Sequence, residues 1–348
     1  MDIFWITLLS AVRPPRKILG LFARCRSAGL ARFLCVVIVT LATAGDLAAQ
    51  ADLDQVHVFP STLATPSGPT QHVLRSNVDL VLVDVTVLDR ANRAVPGLGP
   101  TNFAVLDDKN PQVVSYLANV DEPISLVVVF DASASMVSKL DEERRAFTEL
   151  VNASNPQDDF ALVVVSDKPR VALHFDDSIS EIQAVVDALQ PGGATALWDG
   201  LYLGVQELKK SHYQRKAMVV ISDGGDNHSR YTESELKSLL EEADVEMYAI
   251  GIFDSSVHTF EEKLGPSQLD ELASVTGGRL LSLRGVRELS RAVTQISREL
   301  RNQYVLGYYP SNRHRDGKWR KLRVQLAGSA SQSSFRLYAK KGYYAPAE

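Results

Sequence analysis

The chain has 348 residues, 45% of them hydrophobic and 23% charged, with a formal charge of −5 and only two cysteines. That length suffices for a domain-sized core plus a smaller module. An acidic balance argues against nucleic acid as the main partner, because gripping phosphates needs a basic face.

The first 51 residues carry six Lys/Arg against two Asp/Glu, leaving 31 basic and 40 acidic side chains in the rest. Arg13, Arg16, Lys17, Arg24, Arg26 and Arg32 make a positive leader, 33–44 is an apolar core, and Ala48–Ala51 offers small residues for cleavage. This is the form of an export signal, with an apolar core shorter than the roughly 20 residues a spanning helix needs. Residues 1–51 are therefore expected to be a signal peptide or an N-terminal anchor, and the protein to be exported, periplasmic or extracellular. Any membrane contact would run through the leader if it is retained. Both cysteines, Cys25 and Cys35, fall inside it, which excludes disulfides, thiolate metal sites and a cysteine nucleophile from the remainder.

Residues 52–75, rich in Pro, Ser, Thr and Gln without periodicity, read as a flexible linker. Residues 76–120 alternate apolar and polar, as in Val81-Leu-Val-Asp-Val-Thr-Val87, which predicts antiparallel strands with one wet face. From 121 to 301 strand and helix patterns alternate. Strands are expected over 124–131, 160–166, 170–175, 217–223, 245–252 and 279–282, and helices over 139–152, 179–189, 196–209, 233–242, 268–274 and 286–301. The 170–175 run follows its neighbour too closely for a crossover and reads as an antiparallel edge strand. The fold class is α/β, a doubly wound and mostly parallel sheet with helices on both faces. After residue 302 strands return over 304–309, 319–326 and 335–339. They are expected to pair with 76–120 into a small all-β module, since an isolated hairpin is marginal alone.

The chemistry concentrates at strand ends. Leu126-Val-Val-Val-Phe130 runs into Asp131-Ala-Ser133-Ala-Ser135, delivering a carboxylate and two hydroxyls to one turn. The glycine-rich turn Pro191-Gly-Gly-Ala-Thr195 offers another hydroxyl, and Met218-Val-Val-Ile-Ser-Asp223 ends a second apolar strand in an aspartate. Ligands bind open α/β sheets beyond the carboxyl ends of the strands, so loops distant in sequence can meet there. Hard oxygen donors suit Mg²⁺, Mn²⁺ or Ca²⁺. Each residue also has a plainer reading. Ser133, Ser135 and Thr195 could cap helices, and Asp223 could be a turn residue before Gly224-Gly225. No HExxH, GxSxG, P-loop or GxGxxG motif occurs.

With Asp131, Ser133 and Ser135 as DxSxS, Thr195 after a glycine turn and Asp223 after a later strand, the chain resembles the von Willebrand factor type A (VWFA) domain and its metal-ion-dependent adhesion site. Ala194 departs from the glycine common before that threonine. Segments 80–88, 97–107 and 111–117, and Gln303–Pro310, Gly317–Arg323 and Lys341–Tyr344, are similar to the flanks of exported bacterial, acidobacterial-type VWFA-related proteins. The resemblance implies a divalent cation, Mg²⁺ before Mn²⁺ or Ca²⁺, held by Asp131, Ser133 and Ser135 with Thr195 and Asp223 joining directly or through water. Asp199 and Asp226 would orient hydroxyls or waters behind them. It also implies a non-enzymatic module gripping an Asp or Glu of a partner protein through the ion. Two readings stay beside it: a metal-independent scaffold of an envelope complex, and a metal-assisted hydrolase using Asp226, Asp199 or His228 as base.

Overall fold

The computed structural model describes residues 80–119, 121–253, 260–332 and 334–347. The expected leader and linker lie outside the described residues. Four strands come first: β1 (Val81–Leu88), β2 (Phe103–Asp107), β3 (Asn110–Gln112) and β4 (Val114–Ala118). The α/β part follows as β5 (Ser125–Asp131), α1 (Leu140–Ala153), β6 (Asp159–Val165), β7 (Arg170–Leu173), α2 (Ile179–Asp187), α3 (Leu197–Leu208), β8 (Lys216–Ser222), α4 (Glu233–Ala243), β9 (Glu246–Ile252), α5 (Phe260–Thr276), β10 (Leu280–Leu283) and α6 (Leu289–Arg301). The chain closes with β11 (Tyr304–Tyr308), β12 (Trp319–Leu326), β13 (Arg336–Ala339) and β14 (Gly342–Tyr344).

The central sheet has the order β10-β9-β8-β5-β6-β7 and is parallel except for β7, which runs antiparallel to β6 at the edge. The expected fold class therefore holds. Its inner strands are continuous Val/Leu/Ile runs because both faces are covered. Leu126, Val128 and Phe130 pack under α1 and α6, while Val127 and Val129 pack under α3, α4 and α5. Period-two alternation in each strand feeds one core on either side. Local chemistry agrees with the helix positions. Thr232 Oγ1 accepts from Glu235 N at 3.3 Å and Glu235 Oε2 from Thr232 N at 2.9 Å, a reciprocal box that starts α4.

The flanking strands make two four-stranded antiparallel sheets, β13-β1-β11-β4 and β14-β12-β2-β3. Each mixes strands from before and after the α/β part, and the two share a core of Val83, Val85, Phe103, Val105, Tyr304, Leu306, Tyr308 and Leu322.

Several elements differ from the sequence reading, three of them instructively. Helix α5 begins at Phe260 rather than 268 and carries Pro266 inside it. Gly265-Pro266 reads locally as a breaker, yet the helix is held by burying Leu269, Leu272 and Ala273. Strand β8 ends at Ser222, so Asp223 stands just beyond it on the loop. Strand β14 is too short for alternation to reveal, and it exists because β12 offers it a partner edge.

Candidate functional site

Strands β5 and β8 are neighbours in register, with Phe130 opposite Ile221. The chain leaves β5 for β6 on one side and reaches β8 on the other, so the sheet's winding reverses between them. Such a switch point opens a crevice at the carboxyl ends, and Asp131 lies at its floor.

Asp131 is fully buried. Its Oδ1 accepts from Ser133 N at 3.0 Å and its Oδ2 from Ser222 Oγ at 2.5 Å. The Ser133 side chain bonds it as well; a carboxylate offers about four lone-pair directions, so capacity remains for an ion. Burial pushes the Asp131 carboxyl up to about 6; the Ser222 hydrogen bond pulls it down and the nearby Asp223 charge pushes it further up. Ser133 is buried and Ser135 exposed, and their hydroxyls meet at 3.1 Å. The helix-cap reading of these serines does not hold. Ser133 precedes a short 3-10 turn without a side-chain cap bond, and α1 starts behind Lys139.

The second loop is laid directly against the first. Gly192 N donates to Ala132 O at 2.8 Å, and Ala134 N to Gly193 O at 3.1 Å. Gly193 makes this approach at φ +81°, a conformation other residues rarely adopt. Thr195 is nearly buried. Its backbone is held on both sides by the third loop: Thr195 N donates to Asn227 Oδ1 at 3.0 Å, and Thr195 O accepts from Asn227 N at 3.0 Å and His228 N at 3.1 Å. Thr195 is not the cap of α3, because Ala196 takes that position without a side-chain bond.

Asp226 supplies the missing cap from a distance. Its Oδ1 accepts from Leu197 N at 2.8 Å, Trp198 N at 3.3 Å and Ser229 Oγ at 2.5 Å. Asp199 Oδ1 accepts from Arg230 N at 2.9 Å and Tyr231 N at 3.1 Å, and its Oδ2 pairs with Arg230 Nε at 3.1 Å. Burial raises the Asp199 carboxyl, but these bonds outweigh it and hold the group below its ordinary value. These hydrogen bonds of Asp199 and of Asp226 Oδ1 fold the 226–231 loop onto α3, and none of them comes from Ser133, Ser135 or Thr195.

Asp223 is 11% exposed, and its Oδ2 lies 3.3 Å from the Lys139 ammonium. The turn behind it is set by backbone contact. Gly224 sits at φ +82°, and a Cβ on Gly265 would drive into the Gly224 carbonyl, so α5 rests directly on this loop. Gly265→Ala should therefore cost about 1–3 kcal/mol through overpacking and shift the Asp223 loop. Chemical denaturation measures the first, and unchanged stability would mean the contact relaxes freely.

Sequence reasoning missed four residues here. Ser222 and Asn227 act through partners 91 and 32 positions away. Lys139 precedes α1 without a motif of its own. Glu143 does leave a signal, since it interrupts the apolar stripe of Leu140, Phe147 and Leu150 on α1.

Residues 125–295 match the family model of the von Willebrand factor type A domain. This segment is a von Willebrand factor type A domain. A relative in Borreliella burgdorferi, an uncharacterized protein, is 24% identical over 197 residues, covering 50% of this chain and 58% of the relative. The chain thus spans little more than half of that relative's length. Similar solved structures include proximal thread matrix protein 1 from the mussel byssus, with TM-score 0.46 and 20% identity over 56% of this chain and 50% of that one. The same mussel protein has been solved with a zinc-occupied MIDAS motif (TM-score 0.45, 20% identity, 56% and 49% covered). A von Willebrand factor type A protein from Catenulispora acidiphila is 13% identical, covering 78% of this chain and 74% of its own, with TM-score 0.45.

The donor chemistry of the domain fits a hard divalent cation. Asp131 keeps lone-pair capacity free, the Ser133 hydroxyl meets Ser135 and also bonds Asp131, and Thr195 is pinned by its backbone, with no hydrogen bond of its hydroxyl among those found for the described residues. Among the described residues no group of three or more His, Cys, Asp or Glu side chains could hold a metal, so a cation here would depend on hydroxyl oxygens.

Proposed function

We propose that this chain is an exported, non-enzymatic protein-binding module whose von Willebrand factor type A domain uses a divalent cation. Asp131, Ser133 and Ser135 would hold the ion, with Thr195 and Asp223 joining directly or through water; Mg²⁺ is preferred, with Mn²⁺ or Ca²⁺ as substitutes. The observation that carries the reading is the hydrogen-bonded convergence of three separate loops at one sheet crevice, around hydroxyls that no capping role absorbs. Bound there, the ion supplies positive charge that neutral hydroxyls do not quench, and so attracts an Asp or Glu carboxylate on a partner protein. The surrounding residues hold the loops in place. Asn227 fixes Thr195, Asp226 fixes the start of α3, and Ser222 orients Asp131. The leader-like 1–51 segment motivates export. Among the described residues no helix is long and apolar enough to cross a membrane.

Calorimetry on metal-free protein tests the assignment. The parent should bind one Mn²⁺ or Mg²⁺ per chain, and Asp131→Ala should abolish it. If the variant binds as the parent does, the site is wrong. Partner capture that EDTA leaves intact would instead favour the metal-independent scaffold.

A further inference from the structure

The Lys139 ammonium is held by three segments at once. It lies 3.3 Å from Asp223 Oδ2, 3.4 Å from the Ile252 carbonyl oxygen and 3.7 Å from Met136 Sδ, and its side chain is 16% exposed. A carboxylate oxygen and a carbonyl oxygen are what a cation seeks, and one of them is a proposed metal donor. One turn along α1, Glu143 is fully buried, and neither of its carboxylate oxygens has a hydrogen-bond partner among the described residues. Buried polar groups are almost always partnered, and leaving one bare is costly. Burial, then the charges of Asp131 and Asp223, push the Glu143 carboxyl well above its ordinary value, while the Lys139 charge opposes them. The four groups therefore share one electrostatic neighbourhood. Lys139 and Glu143 are four residues apart, the spacing at which helix side chains become neighbours.

We propose that Lys139 is a tethered counter-ion of the metal site: its ammonium holds Asp223 when no divalent ion is bound, and passes to Glu143 when an ion claims Asp223. The inference rests on the cation reading above and goes beyond it, for it names what the ion must displace. Two cations a few ångströms apart repel strongly at a site screened from water, so the metal and the ammonium compete for Asp223. Glu143 lowers the cost of that exchange: as the ammonium approaches, the acid releases its proton to water and becomes the carboxylate that receives the displaced charge. The unpartnered carboxylate then has its use in the loaded state.

Mn²⁺ calorimetry on the full, metal-free chain tests this. Lys139→Met and Lys139→Gln should each bind Mn²⁺ about tenfold more tightly than the parent, because the competitor is gone. Glu143→Gln should bind several-fold more weakly in the parent background and be without effect in the Lys139→Met background. Affinity no tighter in both Lys139 variants overturns the proposal. So does a Glu143 penalty equally large with and without the lysine, which would mark a field effect of Glu143 alone. Melting curves in EDTA establish that each variant is folded before titration. Asp131→Ala is the control: if the parent binds no Mn²⁺, or binds no better than Asp131→Ala, the site assignment itself has failed, whatever Lys139 does.

Discussion

Arg279→Met should lower the unfolding free energy by about 3–5 kcal/mol. Arg279 stands between α5 and β10, and its guanidinium meets Glu299 on α6 in a two-pronged pair, Nε to Oε2 at 3.0 Å and Nη2 to Oε1 at 2.5 Å. The side chains are 11% and 2% exposed. Gln295 adds a bond to Glu299 at 2.9 Å, and the guanidinium lies 5.4 Å from the centre of the Tyr338 ring on β13. One residue thus ties the edge of the central sheet to its last helix and to a flanking sheet. Removing it strands a buried carboxylate, and that desolvated, unpaired charge dominates the cost rather than the lost attraction. A melting temperature lower by on the order of 10 °C is expected. Replacing both partners, as in Arg279→Met with Glu299→Leu, should recover most of the loss, because an apolar pair of similar volume needs no counter-charge. A single variant within 1 kcal/mol of the parent would show that water reaches Glu299 and that the pair is not a true anchor.

Pairs of this kind explain why the fold was easier to read from sequence than the site. The all-apolar runs at Leu126–Phe130 and Met218–Ile221 announce buried parallel strands, because a strand covered on both faces has no reason to alternate. The tight spacing before Arg170 likewise announces an antiparallel edge. Both signals are local. Asp131 was visible as a candidate for the same reason, as a charge at the end of an apolar run. The groups that build its surroundings are not local. Asp226 reads as a loop aspartate near Asp223, and nothing nearby says that it caps a helix 29 residues earlier. Asp199 sits in the first turn of α3, where an acidic residue is already explained by the helix dipole, so its clamp on Arg230 and Tyr231 leaves no trace. Pro266 misled in the other direction, since breaker propensity is weak against the burial of a whole helix face. Glu143 is legible in the sequence: a carboxylate on an apolar stripe is the pattern of a group kept for electrostatics rather than solubility.

Glu246→Gln should flatten the stability of the metal-free protein against pH and raise it at pH 8 by about 2 kcal/mol. Glu246 opens β9 at the end of the sheet opposite the candidate site, beside a cavity of about 240 Å³ lined by Asp84, Glu122, Arg215, Asp244 and Lys340 among others. Gln303 Nε2 reaches both its oxygens, at 2.7 and 2.8 Å, and also touches Thr86 Oγ1 on β1 at 3.0 Å. Burial pushes the Glu246 carboxyl up to about 7 from 4.5, and the Asp84 charge adds to this against the pull of Gln303 and Arg215. The folded chain therefore keeps a proton that the unfolded chain releases. Its stabilising share is complete below pH 4.5, falls as the pH climbs from there to 7, and is gone above. At 1.36 kcal/mol per unit the full shift would be worth about 3 kcal/mol, but the side chain retains some solvent contact at the cavity mouth, which screens part of it. Glutamine imitates the protonated acid at every pH and removes this slope. Asp84, Asp131 and Glu143 are raised in the same direction, so a smaller slope of the same sign should persist in the variant. Urea midpoints measured in EDTA from pH 5 to 8 decide it. Parallel curves for parent and variant would mean that Glu246 is ionised in the folded protein throughout, with Gln303 and Arg215 overcoming the burial that β1 and β9 impose on it.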